Sequence, residues 1–435
     1  MPDLRFWSSL HNRYKMNFLQ LFFYRPFLGV NTAQFFDTLG NNFLRNAITA
    51  AVIFGVIKVN DNTTVSSLMV GILMLPSFLF MATAGEIADK YPKDAIIKTL
   101  KILQLITAIL AGIGFCFENI WLLMLALFLM GTFAAFLSTA KYSILPDILP
   151  QNNLLAANGI MQMTVFLAIF GGTILGGTFF SPRTDILYAI LAITSITGAL
   201  FAFIIPHQIS CAPNTIIHKN PLTAIRKNIS FVFGYKKIIC CIGGISWFWF
   251  VGTFIISLVP AFTKEVLNGN SSVFTLFIVI FTVGLSLGTI LCQILLKCNI
   301  STEFIRPCLA VIALSLLDLA HAAANYATKP EAVDIKNFLT EWQGLHIAIN
   351  ILIFSIAGGV YIVPLTTMLQ VLSPKISRAK IIAANNIINA FFMIVGSGFC
   401  ALLLLINAKP ALLFTILAIL NAIAFIVYKH IKMKT

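Results

Sequence analysis

Long apolar stretches alternate with short polar ones along the whole of this 435-residue chain. Residues 62–85, 148–182, 238–263 and 342–374 contain no Asp, Glu, Lys or Arg. Each exceeds the ~20 residues that a helix needs to cross about 30 Å of hydrocarbon. Together with other apolar stretches, some of which include charged residues, they predict 12 transmembrane helices. These cover residues 29–57, 65–88, 95–117, 119–141, 153–180, 185–206, 237–262, 272–296, 303–325, 345–373, 378–407 and 409–430.

The sequence contains an internal repeat. Residues 154–162, LLAANGIMQ, return 227 residues later as residues 381–389, IIAANNIIN. Gly131 and Gly358 each lie 27 residues before the first asparagine of these segments, so the repeat covers a pair of helices. Internal duplication in a strongly apolar chain is typical of transporters.

The longest basic connection, residues 207–236, separates two predicted sets of six helices and contains a predicted amphipathic helix around Pro221–Tyr235. The first 28 residues mix basic and aromatic side chains and lack the apolar core and cleavage site of a signal peptide. We therefore expect a cytoplasmic amphipathic lead-in over residues 1–28, an N-terminal six-helix bundle over 29–206, a cytoplasmic linker over 207–236, a C-terminal six-helix bundle over 237–430 and a cytoplasmic tail over 431–435.

Composition supports a membrane protein and excludes a soluble one. Hydrophobic residues make up 59% of the chain and charged residues 10%, with a mean hydropathy of +0.94, whereas a globular domain carries about 25% charge. The net charge of +14 does not indicate nucleic-acid binding, because 22 of the 29 Lys and Arg, but only 6 of the 15 acids, fall on the side that carries both termini. This positive-inside distribution predicts cytoplasmic termini.

The eight cysteines and six histidines show no Cys-x-x-Cys pair and no other metal-ligand spacing. We therefore predict no disulfide, no metal site and no cofactor. A membrane-embedded acyltransferase would need an activated histidine, and His321, three residues after Asp318, is the one candidate. The sequence has no His-x-x-x-x-Asp motif, so we expect no catalytic residues and interpret Asp318 and His321 as a local hydrogen-bonded pair.

The first predicted span carries most of the polar chemistry. A spacing of four places Asp37, Asn41 and Arg45 on one helix face, with Asn42 beside them. An arginine near mid-membrane costs about 2.5–3.5 kcal/mol, so this face needs partners, water or a substrate. Asp37 and Arg45 lie ~12 Å apart along the helix axis, so each needs a different partner. The alternative is that these groups only join helices, at about 0.6 kcal/mol for each hydrogen bond.

A charged loop, GEIADKYPKD, follows the second span. Its residues Gly85, Asp89, Lys90 and Lys93 resemble the Gly-x-x-x-Asp-Lys/Arg loop of the major facilitator superfamily. Its proline and its final aspartate replace a usual glycine and a usual basic residue. The resemblance implies an all-α integral membrane fold of 12 helices in two pseudo-symmetric six-helix bundles. It also implies a gating loop in which the glycine permits close helix approach and Asp89 caps a neighbouring helix.

Four segments are similar to bacterial lysophospholipid transporters, including those fused to 2-acylglycerophosphoethanolamine acyltransferase. They are residues 34–47, 87–91, 140–146 and 245–250. Asn41 stands where these transporters tend to have an aspartate, and Asp37 lies one turn earlier. The resemblance implies a bacterial inner membrane, a lysophospholipid substrate and a separate acyltransferase as a partner.

Seven further polar or aromatic residues are candidates for substrate binding: Lys141, Asn158, Gln162, Trp247, Trp249, Asn385 and Asn389. The lysine either holds a phosphate or extends to the membrane surface. The four amides form two matched pairs that line a central cavity or join helices. The two tryptophans form an acyl-chain wall or ordinary packing.

These patterns predict a secondary transporter that is surrounded by membrane lipids and moves an amphipathic solute by alternating access. The first hypothesis is a lysophospholipid whose phosphate contacts Arg45 and Lys141. The alternative is proton-coupled export of a drug, a siderophore or another small metabolite, with Asp37 as the proton carrier.

Cysteine labelling tests the predicted topology in a variant without the native cysteines. Ser181→Cys and Asn270→Cys should react with an impermeant maleimide in intact cells, because both positions lie on the side with few basic residues. Lys434→Cys should react only after the membrane is permeabilised. Labelling of Lys434→Cys from outside would overturn this orientation.

Overall fold

The computed structural model describes residues 16–59, 62–218, 220–297, 299–327 and 331–430. These residues form helices joined by short connections, and the β-structure within them is one isolated bridge between Gly269 and Val333. The helices are α1 Phe18–Phe22, α2 Arg25–Ile53, α3 Asn62–Lys90, α4 Lys93–Cys116, α5 Ile120–Ile148, α6 Leu154–Thr178, α7 Asp185–Ala202, α8 Pro221–Phe233, α9 Lys236–Ala261, α10 Ser271–Leu295, α11 Ile305–Asn325, α12 Ile335–Thr340, α13 Trp342–Leu372, α14 Arg378–Leu405 and α15 Pro410–His430.

Within the described ranges, 11 helical segments are long and apolar enough to cross a membrane. They correspond to the predicted spans other than the first, which is α2. With 29 residues, α2 has the length to cross as well, and its polar stripe accounts for its lower hydropathy. The expected all-α, multi-pass membrane fold is confirmed.

Side chains at several helix starts satisfy backbone N–H groups that have no partner within the helix. At the start of α5, Asn119 accepts hydrogen bonds from the N–H groups of Trp121 and Leu122 at 3.0 and 3.2 Å. Asn220 caps α8 in the same way, and Pro221 follows it at the first helical position. These caps define where the two helices begin.

The chain divides into two compact units. The first comprises residues 1–157, 164–235 and 370–387. The second comprises residues 158–163, 236–369 and 388–435. The first two and a half turns of α14 therefore belong to the first unit, although they come late in the sequence.

Small residues allow close helix packing within each unit. In the first, a Cβ atom added to Gly172 would lie 2.5 Å from the carbonyl oxygen of Leu39, so α6 and α2 are in backbone contact. In the second, a Cβ atom on Gly284 would lie 2.6 Å from that of Ser355, which brings α10 close to α13. Another glycine follows four residues later in both α6 and α10, a spacing typical of membrane helix pairs.

The predicted linker helix is present as α8. Its buried residues Ala224, Asn228 and Val232 recur every four positions and define one buried side of the helix. Within the predicted lead-in, α1 forms a short helix, while residues 1–15 lie outside the described residues. The predicted tail, residues 431–435, lies outside them too.

Candidate functional site

The polar stripe predicted in the first span lies on α2, in the first unit. Asp37 and Asn41 are buried, each with 8% of its surface exposed, and Asn42 and Arg45 are partly buried. A buried carboxylate in a membrane-spanning helix needs a partner, because isolated charges are strongly disfavoured in an apolar medium.

Lys101 of α4 is the partner of Asp37. Its Nζ atom lies 3.4 Å from Asp37 Oδ1, and the two side chains are only 2% and 6% exposed. Gln104, one turn further along α4, accepts a hydrogen bond from the lysine at 2.7 Å and donates one to Asp37. Gly198 of α7 packs beside the lysine, since a Cβ atom there would lie in ordinary van der Waals contact with its Nζ atom, at 3.5 Å.

Neither Lys101 nor Gln104 is a candidate in the sequence, where the lysine is only one of the basic residues counted on the side of the termini. In the structure, Lys101 is 1% exposed and lies inside the unit. Two features of the sequence could have identified this pair. The lysine lies eight residues after the first residue of α4, and a glutamine follows three residues later in an otherwise apolar segment.

Lys141 of α5 is buried as well, at 9% exposure, and does not extend to the membrane surface. Its ammonium lies 5.1 Å from the ring centroid of Tyr142 and within electrostatic range of Asp37 and Lys101. Within the described ranges it forms no hydrogen bond and no ion pair. We call Asp37, Lys101, Gln104 and Lys141 the charge cluster. Two lysines share one carboxylate, so the cluster has one positive charge in excess.

Arg45 lies further along α2, outside the charge cluster. Its Nη2 atom donates a hydrogen bond to Asn42 Oδ1 at 3.2 Å, and none of the described acids forms an ion pair with it. Asn42 is held in turn by a hydrogen bond from its own amide to the carbonyl oxygen of Thr38 at 2.8 Å. The Oδ1 atom of Asn41 is buried and has no hydrogen-bond partner among the described residues. Among the described residues, the polar stripe on α2 therefore contains a cation without a counter-ion, Arg45, and a hydrogen-bond acceptor without a donor, Asn41 Oδ1.

Two of the matched amides form hydrogen bonds between helices of the second unit. Asn158 donates to Thr367 Oγ1 at 3.2 Å, and Ser246 donates to Asn389 Oδ1 at 2.7 Å. Gln162 is also buried in that unit. These contacts join helices, which is one of the two roles that the sequence leaves open.

The remaining candidates are divided between the units. Asn385 lies in the first unit and donates to Asn386 Oδ1 at 3.2 Å. In the second unit, Trp247 donates from Nε1 to Asn421 Oδ1 at 3.1 Å, while the ring of Trp249 packs edge-on against Phe248 with centroids 5.5 Å apart.

Asp89 lies in the last turn of α3, not in a loop as the sequence predicts, and caps the start of α14 inside the first unit. Its Oδ1 atom accepts the backbone N–H of Ala379 at 2.9 Å and its Oδ2 atom that of Lys380 at 3.0 Å. A carboxylate at this position also interacts favourably with the helix dipole. Gly85 permits the approach, since a Cβ atom there would lie 2.6 Å from that of Ala383.

A second acid reinforces this contact. Asp147, near the end of α5, accepts a hydrogen bond from Lys93 at 2.6 Å through Oδ2 and one from Arg378 at 2.9 Å through Oδ1. All three side chains are at most 10% exposed. Nothing in the sequence alone marks Asp147 or Arg378 as a functional residue. Lys90, the remaining loop candidate, lies 6.0 Å from the ring centroid of Tyr91.

The linker contacts the same region of the first unit. Glu86 Oε2 accepts the backbone N–H of His218 at 2.8 Å, and its Oε1 atom lies 2.8 Å from the His218 ring. On α8, the buried amide of Asn228 donates to the carbonyl oxygen of Ala82 at 3.2 Å. The Nζ atom of Lys380 lies 4.6 Å from the ring centroid of Phe231. The linker helix therefore contacts both α3 and the start of α14.

The interpretation of Asp318 and His321 as a local pair is wrong. Asp318 instead lies 2.8 Å from His346 Nε2 and accepts a hydrogen bond from Asn350, both on α13, while His321 contacts Asn325. Because α11 and α13 pack side by side, Asp318 pairs with residues of α13 and not with the histidine three residues along its own helix. Among the described residues, no group of three or more His, Cys, Asp or Glu has a geometry that suits a metal ion.

The buried pair in the charge cluster makes a prediction about stability. Asp37→Asn leaves two buried lysines without a carboxylate, so it should lower the free energy of unfolding by roughly 3–5 kcal/mol. Asp37→Asn combined with Lys101→Met should recover most of that loss, because it removes one of the two uncompensated charges. Denaturant unfolding in detergent measures both. Asp185→Asn, an exposed carboxylate at the start of α7, serves as the control. A single variant as stable as the parent would contradict the ion-pair assignment.

Solved structures with a similar fold are transporters. The human organic anion transporter MFSD10 (TETRAN) superposes with a TM-score of 0.69 at 11% sequence identity, covering 93% of this chain and 98% of that one. A bacterial homologue of the iron transporter ferroportin, in an outward-facing state, gives 0.66 at 16% identity, covering 92% and 99%. These similarities establish the fold.

Curated relatives of similar sequence carry the name lysophospholipid transporter LplT. The protein from Photorhabdus laumondii is 25% identical over 365 residues, or 80% of each chain. The protein from Citrobacter koseri is 25% identical over 401 residues, covering 87% of this chain and 89% of its own. The family profile described as Major Facilitator Superfamily matches residues 30–397. This match covers most of the sequence, and the chain belongs to the Major Facilitator Superfamily.

Proposed function

We propose that this membrane transporter moves a lysophospholipid of the lysophosphatidylethanolamine type across a bacterial inner membrane, with both termini in the cytoplasm. The observation that carries the proposal is the excess of positive charge within the first unit. Arg45 and Lys141 both lie inside membrane-spanning helices, and none of the described acids is paired with either. A phosphate supplies the missing negative charge.

The two cations differ in what they offer a phosphate. Arg45 presents a guanidinium that binds two phosphate oxygens at once, and Asn42 already orients it. Lys141 is a point charge whose attraction to Asp37 is shared with Lys101. We therefore assign Arg45 as the main phosphate contact and Lys141 as a second one.

The rest of an amphipathic lysolipid also has chemical counterparts in the first unit. The buried Oδ1 atom of Asn41 accepts a hydrogen bond from a glycerol hydroxyl or an ammonium group, which satisfies an otherwise costly orphan acceptor. Asn41 lies one turn from Arg45 on the same face of α2. One headgroup can therefore meet a cation and a hydrogen-bond acceptor together. The names of the curated relatives support the same substrate class.

The contacts of Asp89 and Asp147 with the start of α14 suit a gate. They close one end of the first unit with backbone hydrogen bonds and ion pairs that water can replace when they open. We propose that substrate movement requires their breakage and re-formation, as alternating access demands.

Binding measurements test the phosphate contact. Arg45→Ala should weaken binding of labelled lysophosphatidylethanolamine by about 10- to 150-fold, the equivalent of a charge-assisted hydrogen bond of 1.5–3 kcal/mol. Arg45→Lys should retain part of the affinity, because a point charge still attracts phosphate. Lys58→Ala, which removes an exposed lysine just beyond α2, is the matched control. Equal binding by Arg45→Ala and the parent would refute the site.

Transport assays in proteoliposomes test the gate. Asp89→Asn keeps the shape but loses the charge and one acceptor oxygen at the start of α14, so turnover should fall about tenfold while affinity for the lysolipid stays unchanged. Glu265→Gln, an exposed acid outside this region, should leave turnover unaltered. A variant that binds weakly but turns over normally would contradict the gating role. Recovery of chemically unaltered lysolipid distinguishes transport from an acyl-transfer reaction.

A further inference from the structure

An open groove with a volume of about 340 Å³ runs between α9 and α15 in the second unit. Its wall is almost entirely apolar and opens to the side of the unit, where Ile423 and Val427 are 50% and 52% exposed. Further residues that line it include Cys240, Gly243, Trp247 and Tyr428.

Two adjacent glycines create the groove. A Cβ atom added to Gly243 would meet nothing within 4 Å, so this position leaves open space between the helices. Gly244 faces inward, and its carbonyl oxygen accepts a hydrogen bond from Tyr361 at 3.0 Å, which fixes the floor of the groove. The absence of a side chain at Gly243 therefore accounts for part of this space.

The surroundings determine what fills this space. α9 and α15 are membrane-spanning helices, and the exposed surface of the groove between them is almost entirely apolar, so it offers water few hydrogen-bond partners. The part of α9 from Cys240 to Trp247 measures about 10 Å along its axis. A lipid acyl chain has the apolar surface and the length for this space, and filling it restores the dispersion contacts that a void lacks.

A basic residue lies at one end of the groove. Lys236, Cys240, Gly243 and Trp247 follow one another at intervals of four, three and four residues, so they share one face of α9. Lys236 is exposed at the start of the helix. A chain lying along this face brings a phosphate group close to the lysine, the usual arrangement of basic residues around anionic headgroups.

We propose that this groove is a binding site for a resident membrane phospholipid. One acyl chain lies along Gly243 between α9 and α15, and the phosphate contacts Lys236. The site favours anionic phospholipids over zwitterionic ones, because the lysine adds a net attraction that a zwitterion largely cancels. It lies wholly within the second unit and does not depend on the substrate proposed for the first.

Native mass spectrometry of the full-length protein, purified from vesicles of phosphatidylglycerol and phosphatidylethanolamine, tests this site. The parent should retain one phospholipid, enriched in phosphatidylglycerol. Gly243→Phe places a ring in the groove, at a position where an added Cβ atom meets nothing within 4 Å, and should reduce the retained fraction at least tenfold. Gly398→Phe, at another exposed glycine with nothing within 4 Å, should leave it unchanged. Lys236→Gln should keep the lipid and abolish the preference for phosphatidylglycerol.

Fluorescence provides a second measurement in the bilayer. Brominated phosphatidylglycerol should quench Trp247 in the parent, and this component of quenching should be absent from Trp247→Phe and reduced in Gly243→Phe. Equal lipid retention by Gly243→Phe and the parent would overturn the site. Retention of detergent alone, with no phospholipid, would overturn it too. Loss of lipid in both glycine variants would mean that any bulky surface change removes it and would also refute the assignment.

Discussion

The burial of charge in membrane-spanning helices governs how the first unit is assembled. Asp37 and Lys101 are nearly inaccessible, and neither is tolerable there without the other. Their contact fixes the rotation of α2 and α4 about their axes, since a small rotation of either would separate the pair. Lys141 lies within electrostatic range of the same carboxylate, so two buried lysines share one acid. In the proposed site, the phosphate of a ligand would supply a second negative charge.

Sequence patterns identify the features that depend on neighbours along the chain. The spans, the linker helix and the motif with Gly85 and Asp89 all follow from runs of apolar residues or from short local patterns, although the structure places both motif residues in α3. The partners of those residues do not follow. Asp37 and Gln104 are 67 residues apart, and Asp147 and Arg378 are 231 apart, so nothing local connects them.

Two interpretations show how tertiary packing changes the meaning of a local pattern. Lys101 lies near the start of a helix, from where a lysine can reach the membrane surface, yet it is buried beside Asp37 of α2. Asp318 has a histidine one turn away, yet its contacts come from the neighbouring helix α13. In both cases the available partner was across a helix interface, where single-sequence spacing carries no information.

Asp147 uses its two carboxylate oxygens for different cations, Lys93 on α4 and Arg378 on α14. In the proposed gate, movement of α14 would break the bond of Asp147 to Arg378 and those of Asp89 to Ala379 and Lys380, whereas the Asp147–Lys93 pair would stay together and electrically neutral. Solvent would then have to stabilise the guanidinium of Arg378 and the carboxylate of Asp89. Because dissolved ions screen both charges, the balance between the closed and open arrangements of such a gate would depend on ionic strength.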